Sequence, residues 1–157
     1  MHAFTLVNND EEIKKYNLLK VIDVNDNGKK LIYIYESHNY IVFYKVMIMK
    51  TKNLENQTEI PKNALGWIVD TIRDGFWKKP TEGGLPRNQH AARLKFDGED
   101  LILTRTMNAT YGEPGFAIKN KSRHSYISKT SSQQVAITDK HMKSGVLDLF
   151  NQYRTDR

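Results

Sequence analysis

The sequence predicts an α+β fold of two antiparallel four-stranded units, each followed by an amphipathic helix, packed as one compact domain. Three observations carry this expectation. First, 60–76 (IPKNALGWIVDTIRDGF) aligns without a gap on 137–153 (ITDKHMKSGVLDLFNQY), so that Ile60 falls on Ile137, Leu65 on Met142, Val69 on Val146, Ile72 on Leu149 and Phe76 on Tyr153. Each stretch reads as a strand end, a cap and a helix with one apolar face. Second, each follows a region of strand-like sequence punctuated by turns. Third, 157 residues with 39% hydrophobic and 10% aromatic content suit a single core, whereas either half alone would have a marginal one. The first unit spans about 18–77, the linker 78–90 and the second unit about 91–153, all within one domain over 1–157.

The elements follow in order. Residues 1–17 admit two readings: a short strand through Phe4, Leu6 and Val7, or a helical turn capped by Asn9-Asp10-Glu11-Glu12. Leu18 to Val24 alternates weakly and ends at Asn25-Asp26-Asn27-Gly28, a turn. Lys30 to Glu36 (KLIYIYE) is its hairpin partner. Tyr40 to Lys52 has the length of a buried helix, but its Ile, Val, Tyr and Phe content and flanking turns favour a long central strand. Polar Asn53 to Gln57 reads as a loop. Thr58 to Ile60 then leads to Pro61, which suits a first helical position, and a helix to Trp77.

Lys78 to His90 holds two Pro and two Gly and forms the linker. Strand-like segments follow at Ala92–Phe96 and Leu101–Met107, separated by the Asp97-Gly98 turn. Asn108 to Pro114 reads as a longer turn, Gly115–Lys121 and Ser125–Thr130 as more polar strands, and Val135–Ile137 as a short one. Thr138 or Asp139 caps the final helix.

The net charge is +6 and the pI about 9.4, which favours polyanionic partners such as nucleic acid. With no cysteine, disulfides, thiolate zinc sites and cysteine nucleophiles are excluded. The five histidines (His2, His38, His90, His124, His141) form no ligand spacing, so no metal or other cofactor is expected. Gly83-Gly84 lacks the Lys-Ser/Thr of a phosphate loop. No nucleophile motif occurs, and the expectation is a protein that is not an enzyme. The N-terminus carries no signal-peptide pattern and no run reaches the ~20 apolar residues of a membrane span. The expected setting is the cytoplasm, with no membrane partner.

Candidate binding residues concentrate in the second unit. Arg105, Lys119, Lys121, Arg123 and Lys129 are interleaved with Tyr111, Phe116 and Tyr126, and Glu113 is the lone acid over 101–137. On an extended strand Lys119 and Lys121 share one side, and Phe116 and Ile118 the other. Cations can follow phosphates while rings stack on unpaired bases. The structural alternative is a solvated face whose lysines guard a sheet edge. In the first unit Tyr33, Tyr35, Tyr40 and Tyr44 suit either a wet surface or the core, and Lys50 and Lys52 extend their strand as further cationic candidates. The linker's Lys78, Lys79, Arg87 and His90, followed by Arg93, make it either a phosphate-contacting arm or a plain connection.

Two units of strands and a helix, basic and aromatic on the sheet, resemble the Whirly and PUR-alpha class of single-stranded nucleic-acid binders. TEIPKNALGWIVDTI is similar to the last strand and helix of a PUR repeat, and QVAITDKHMKSGVLDLF echoes it. The resemblance covers about 18–153 and is architectural. The near-apolar run Tyr40–Met49 departs from the basic strand pattern of such repeats. The resemblance implies single-stranded DNA or RNA as partner, a role in transcription or replication, and homo-oligomers formed through the helices, where Trp67 and Trp77 would pack. The competing expectation is a viral or bacterial effector that inhibits a host protein, using Tyr40–Tyr44 as a pairing edge. A hydrolase using His90 or His124 is a third.

Overall fold

The computed structural model describes residues 4–128 and 130–154. A short helix α1 (Asp10–Ile13) precedes the first sheet, whose order is β1 (Asn17–Asp23), β2 (Lys30–Glu36), β3 (Tyr40–Ile48) and β4 (Asn53–Pro61). The second sheet is β5 (Ala91–Phe96), β6 (Glu99–Thr110), β7 (Glu113–His124) and β8 (Ser132–Thr138), in that order. All neighbours are antiparallel. A 3₁₀ turn (Lys62–Ala64) leads from β4 into α2 (Leu65–Asp70), which continues through a π-helical stretch (Thr71–Phe76). After β8 come α3 (Asp139–His141), a stretch over Met142–Val146 that Gly145 kinks at φ 123°, and α4 (Leu147–Asn151). The predicted α+β architecture is therefore present. None of the described helices is long and apolar enough to cross a membrane.

The two sheets share one apolar core. Ile32, Ile41, Phe43 and Ile60 of the first sheet belong to the same buried cluster as Leu103, Phe116, Ile118 and Ile137 of the second. Each helical segment reaches across to the other unit. The Phe76 and Trp77 rings lie against Phe116 of β7, at 5.5 and 6.0 Å between centroids. Phe150 of α4 meets Phe43 of β3 edge-on at 5.8 Å. A sheet buries its apolar face only under a covering layer. Here each unit lends aromatic side chains to the other, and one buried cluster runs through both.

Several sequence expectations change. Asn53–Gln57 is not a loop but the first half of β4, paired residue by residue with β3. Its polar side chains hid the strand, because Gln57 and Glu59 are buried and hydrogen-bonded rather than solvated. The described residues of 125–130 form no strand: Ser125 Oγ accepts from the Ile127 N–H and Ser128 Oγ from the Thr130 N–H, local bonds that compete with a ladder. The long turn expected over Asn108–Pro114 is only Tyr111-Gly112. Strand β3 ends at Ile48, so Lys50 and Lys52 lie in the following turn instead of extending it. Strand β3 is also interior, bonded on both sides by β2 and β4. Tyr40–Tyr44 thus offers no free edge to a partner protein.

Candidate nucleic-acid interface

The two outward sheet faces differ. On the first sheet, Tyr35, Val42, Tyr44 and Val46 are buried beneath the N-terminal segment, where Val7 is fully buried and Phe4, Leu6 and Tyr16 pack beside it. The segment is held by Phe4 N–H on Glu59 Oε1 at 3.1 Å and Val7 N–H on Gln57 Oε1 at 3.1 Å. The tyrosines of the first unit are therefore largely core.

Among the described residues no segment covers the outward face of the second sheet in this way. Across it run the paired residues Arg93, Ile102, Lys119 and Gln134, one from each strand. Lys95 and its partner Asp100 lie one pleat along, and Lys121 follows Lys119 on the same side of β7. Arg93, Lys95 and Lys121 are exposed and Lys119 is half-buried. Among the described residues none of these four cations has a carboxylate within ion-pair distance. A depression of about 350 Å³ is lined by Arg93, Lys95, Ile102 and Lys121, with Asp100 its one acid. Sequence reasoning found Lys119 and Lys121, took Arg93 only with the linker arm, and missed Lys95. The register that sets them beside Lys119 is a tertiary fact, although their alternation in ARLKF was visible.

Other predicted residues take different places. Arg123 is 4% exposed and is a structural residue. Its Nε donates to Glu99 Oε1 at 2.6 Å and an Nη donates to the Tyr40 hydroxyl at 2.9 Å. The guanidinium also lies 4.6 Å from the Phe4 ring centroid. Arg105 is turned inward, with two bonds of 2.6 and 2.8 Å to Asp139 and its cation 4.7 Å from the Phe116 ring centroid. Both arginines read as surface cations because their acids lie far off in sequence. Tyr126 is half-buried, its hydroxyl donating to the Phe4 carbonyl and lying 3.1 Å from Glu59 Oε2. Phe116 faces the core and is fully buried. The aromatic interleaving expected on the cationic face is thus absent. Tyr111 sits at the β6–β7 tip and is 84% exposed. Lys50 and Lys52 are exposed on the first unit, and Lys129 lies outside the described residues.

The seam between the sheets is a buried polar network. Glu59 of β4 accepts from Gln133 Nε2 at 2.9 Å and Gln57 Nε2 at 3.1 Å. Asn120 Nδ2 bridges the Glu59 carbonyl and Glu99 Oε1, each at 2.8 Å. Burial pushes the Glu59 carboxyl above its ordinary range against these bonds. Burial also opposes ionisation of Glu99, but the bonds from Arg123, Tyr40 and Asn120 outweigh it and hold that carboxyl below its usual range. Every buried side-chain polar atom among the described residues has a partner. The network is therefore a satisfied joint rather than a poised reactive site. Among the described residues no group of three or more His, Asp or Glu could hold a metal ion. The chain matches no protein-family model, no curated protein and no solved structure.

Proposed function

We propose that this chain is a non-enzymatic nucleic-acid-binding protein that takes single-stranded DNA or RNA on the outward face of the β5–β8 sheet. The observation that carries the reading is the set of four cations, Arg93, Lys95, Lys119 and Lys121, on one uncovered face without a carboxylate partner. Such charges repel one another, and a polyanion relieves the repulsion while releasing counterions. A single strand adjusts its phosphate spacing to a broad sheet face. With no aromatic ring on that face, phosphate contact dominates and sequence preference is weak. The setting that follows is one where strands are open, in transcription or replication.

Titration of labelled oligothymidylate and a duplex at two salt concentrations tests the reading. Four phosphate contacts give a log–log salt slope of about −3 for a single strand. The paired substitutions Lys119→Glu and Lys121→Glu weaken binding at low salt. Absence of any binding at low salt overturns the proposal, and unchanged affinity in the double variant removes this face from it.

A further inference from the structure

Among the described residues Tyr111 is the one exposed Phe, Tyr or Trp, and it occupies an unusual position. It is the first central residue of the two-residue turn between β6 and β7, with φ 43° followed by Gly112 at φ 78°. The β5–β6 turn has the same form, and there Asp97 at φ 49° precedes Gly98 at φ 78°. Asp and Asn are the usual occupants because a short polar side chain tolerates the left-handed region. Tyr111 is bulky, and at 84% exposure its ring has little packing to offset that choice.

The tip is held firmly. Asn108 Oδ1 accepts from the Gly112 N–H at 2.7 Å. The Thr110 hydroxyl bridges the units, donating to Asn25 Oδ1 at 3.0 Å and accepting from Lys30 Nζ at 3.3 Å. A pocket of about 420 Å³ lies where the tip meets the first sheet, lined by Met47, Ile48, Met49, Tyr111, Lys29 and Lys30. Ile48 and Met49 are exposed, at 45% and 49%. No carboxylate lines the pocket, and Lys29 and Lys30 have no acidic partner among the described residues. Lys50 and Lys52 stand in the turn just beyond Met49, both exposed.

We infer that this pocket is a base-stacking subsite, in which an unpaired nucleobase lies on the Tyr111 ring and the Met49–Ile48 shelf while its flanking phosphates meet Lys29 and Lys30. The inference rests on the nucleic-acid reading above and adds what the cationic face lacks, an aromatic platform. It also gives the first unit a part in binding, through the end of its sheet. One flat ring and an apolar shelf, flanked by ammonium groups without acidic partners, match the two chemistries of a single strand, the π-face of a base and the anionic backbone.

Oligothymidylate binding by fluorescence anisotropy at low salt, with wild type, Tyr111→Ala, Tyr111→Phe and the Lys119→Glu/Lys121→Glu double variant, tests it. Tyr111→Ala should weaken binding on the order of tenfold while Tyr111→Phe retains it. An oligonucleotide carrying 5-iodouracil should photocrosslink to the peptide that contains Tyr111. If wild type binds, the charge-reversal variant is weakened, and Tyr111→Ala matches wild type with crosslinks elsewhere, this subsite is overturned and the parent reading stands. If wild type binds no oligonucleotide, both fall together. The exposed position of Tyr111 keeps the variants folded, which thermal melting verifies.

Discussion

Arg105 grips Asp139 through two parallel hydrogen bonds of 2.6 and 2.8 Å, fastening the second strand of its sheet to the first residue of the helix that leaves it. The Trp77 indole N–H, arriving from the other unit, donates to the same carboxylate at 3.3 Å. The first unit repeats the arrangement with the charges exchanged. Lys62, just past β4, pairs with Glu36 of β2 at 2.9 Å. There Lys62 Nζ lies 5.3 Å from the ring centroid of Tyr153, just past α4 of the other unit. Each joint thus combines an ion pair within one unit and an aromatic from the other.

Arg105→Ala should destabilise the fold by about 1–2 kcal/mol, since charge-assisted bonds at a half-buried site are partly screened. Chemical denaturation measures this. Affinity of the folded variant for oligothymidylate should match wild type, because Arg105 faces inward; a large loss would return it to the binding surface.

Glu99→Gln should cost more, about 2–3 kcal/mol, because it removes the charge-assisted bond to the buried Arg123 and leaves only the longer pairing with Glu59 at 3.7 Å. The pH dependence has a definite sign. The folded pKa of Glu99 is depressed, so its contribution is present above the unfolded value and is lost as pH falls through the folded value. Urea melts across the acid range should show that Glu99→Gln lacks this part of the wild-type acid sensitivity. Glu59, with a raised pKa, works the other way, contributing at low pH and losing that contribution as pH rises through its folded value.

Lys45→Met should stabilise the protein at pH 7 by on the order of 1 kcal/mol. Burial, with Lys30 nearby, lowers the Lys45 pKa to about 8 from 10.5. The unfolded chain therefore holds the proton over a pH range in which the folded chain has released it. Wild-type stability rises with pH through that range, and the advantage of the variant shrinks to nothing above it. Thermal melts at neutral and alkaline pH measure the convergence. A constant offset would mean that packing, not charge, sets the difference.

Val7→Asp should release the N-terminal segment, since it places an unpaired carboxylate where the side chain is fully buried. Tyr35, Val42 and Tyr44 would then be uncovered, and binding of a hydrophobic dye should rise while the shared core stays folded. No change in dye binding would mean that the segment does not seal this face.

Strand and helix order was legible where the apolar pattern has a clear period, as in Lys30–Glu36 and the helix after Pro61. The pattern failed in the first half of β4, where Glu55 and Gln57 read as loop residues because their partners lie in the N-terminal segment and the second unit. Of the candidate site, Lys119 and Lys121 were legible from alternation along one strand, and Arg123 and Arg105 were misread. An arginine with no acid near it in sequence looks solvated until its carboxylate arrives from elsewhere. For Arg123 that partner is Glu99 on the neighbouring strand. For Arg105 it is Asp139, brought close only when β8 closes the sheet.

By itself the sequence determined the two-unit plan, the positive charge and the unequal character of the units. Those follow from local periodicity and composition, which need no neighbours to act. The tertiary structure decided which helix covers which sheet, which cations remain free, and that the exposed ring is Tyr111 at a hairpin tip rather than a row of aromatics on the sheet. The physical reason is that burial and ion pairing depend on groups distant in the chain. A side chain's charge is set by its own chemistry, but its availability is set by what folding places beside it.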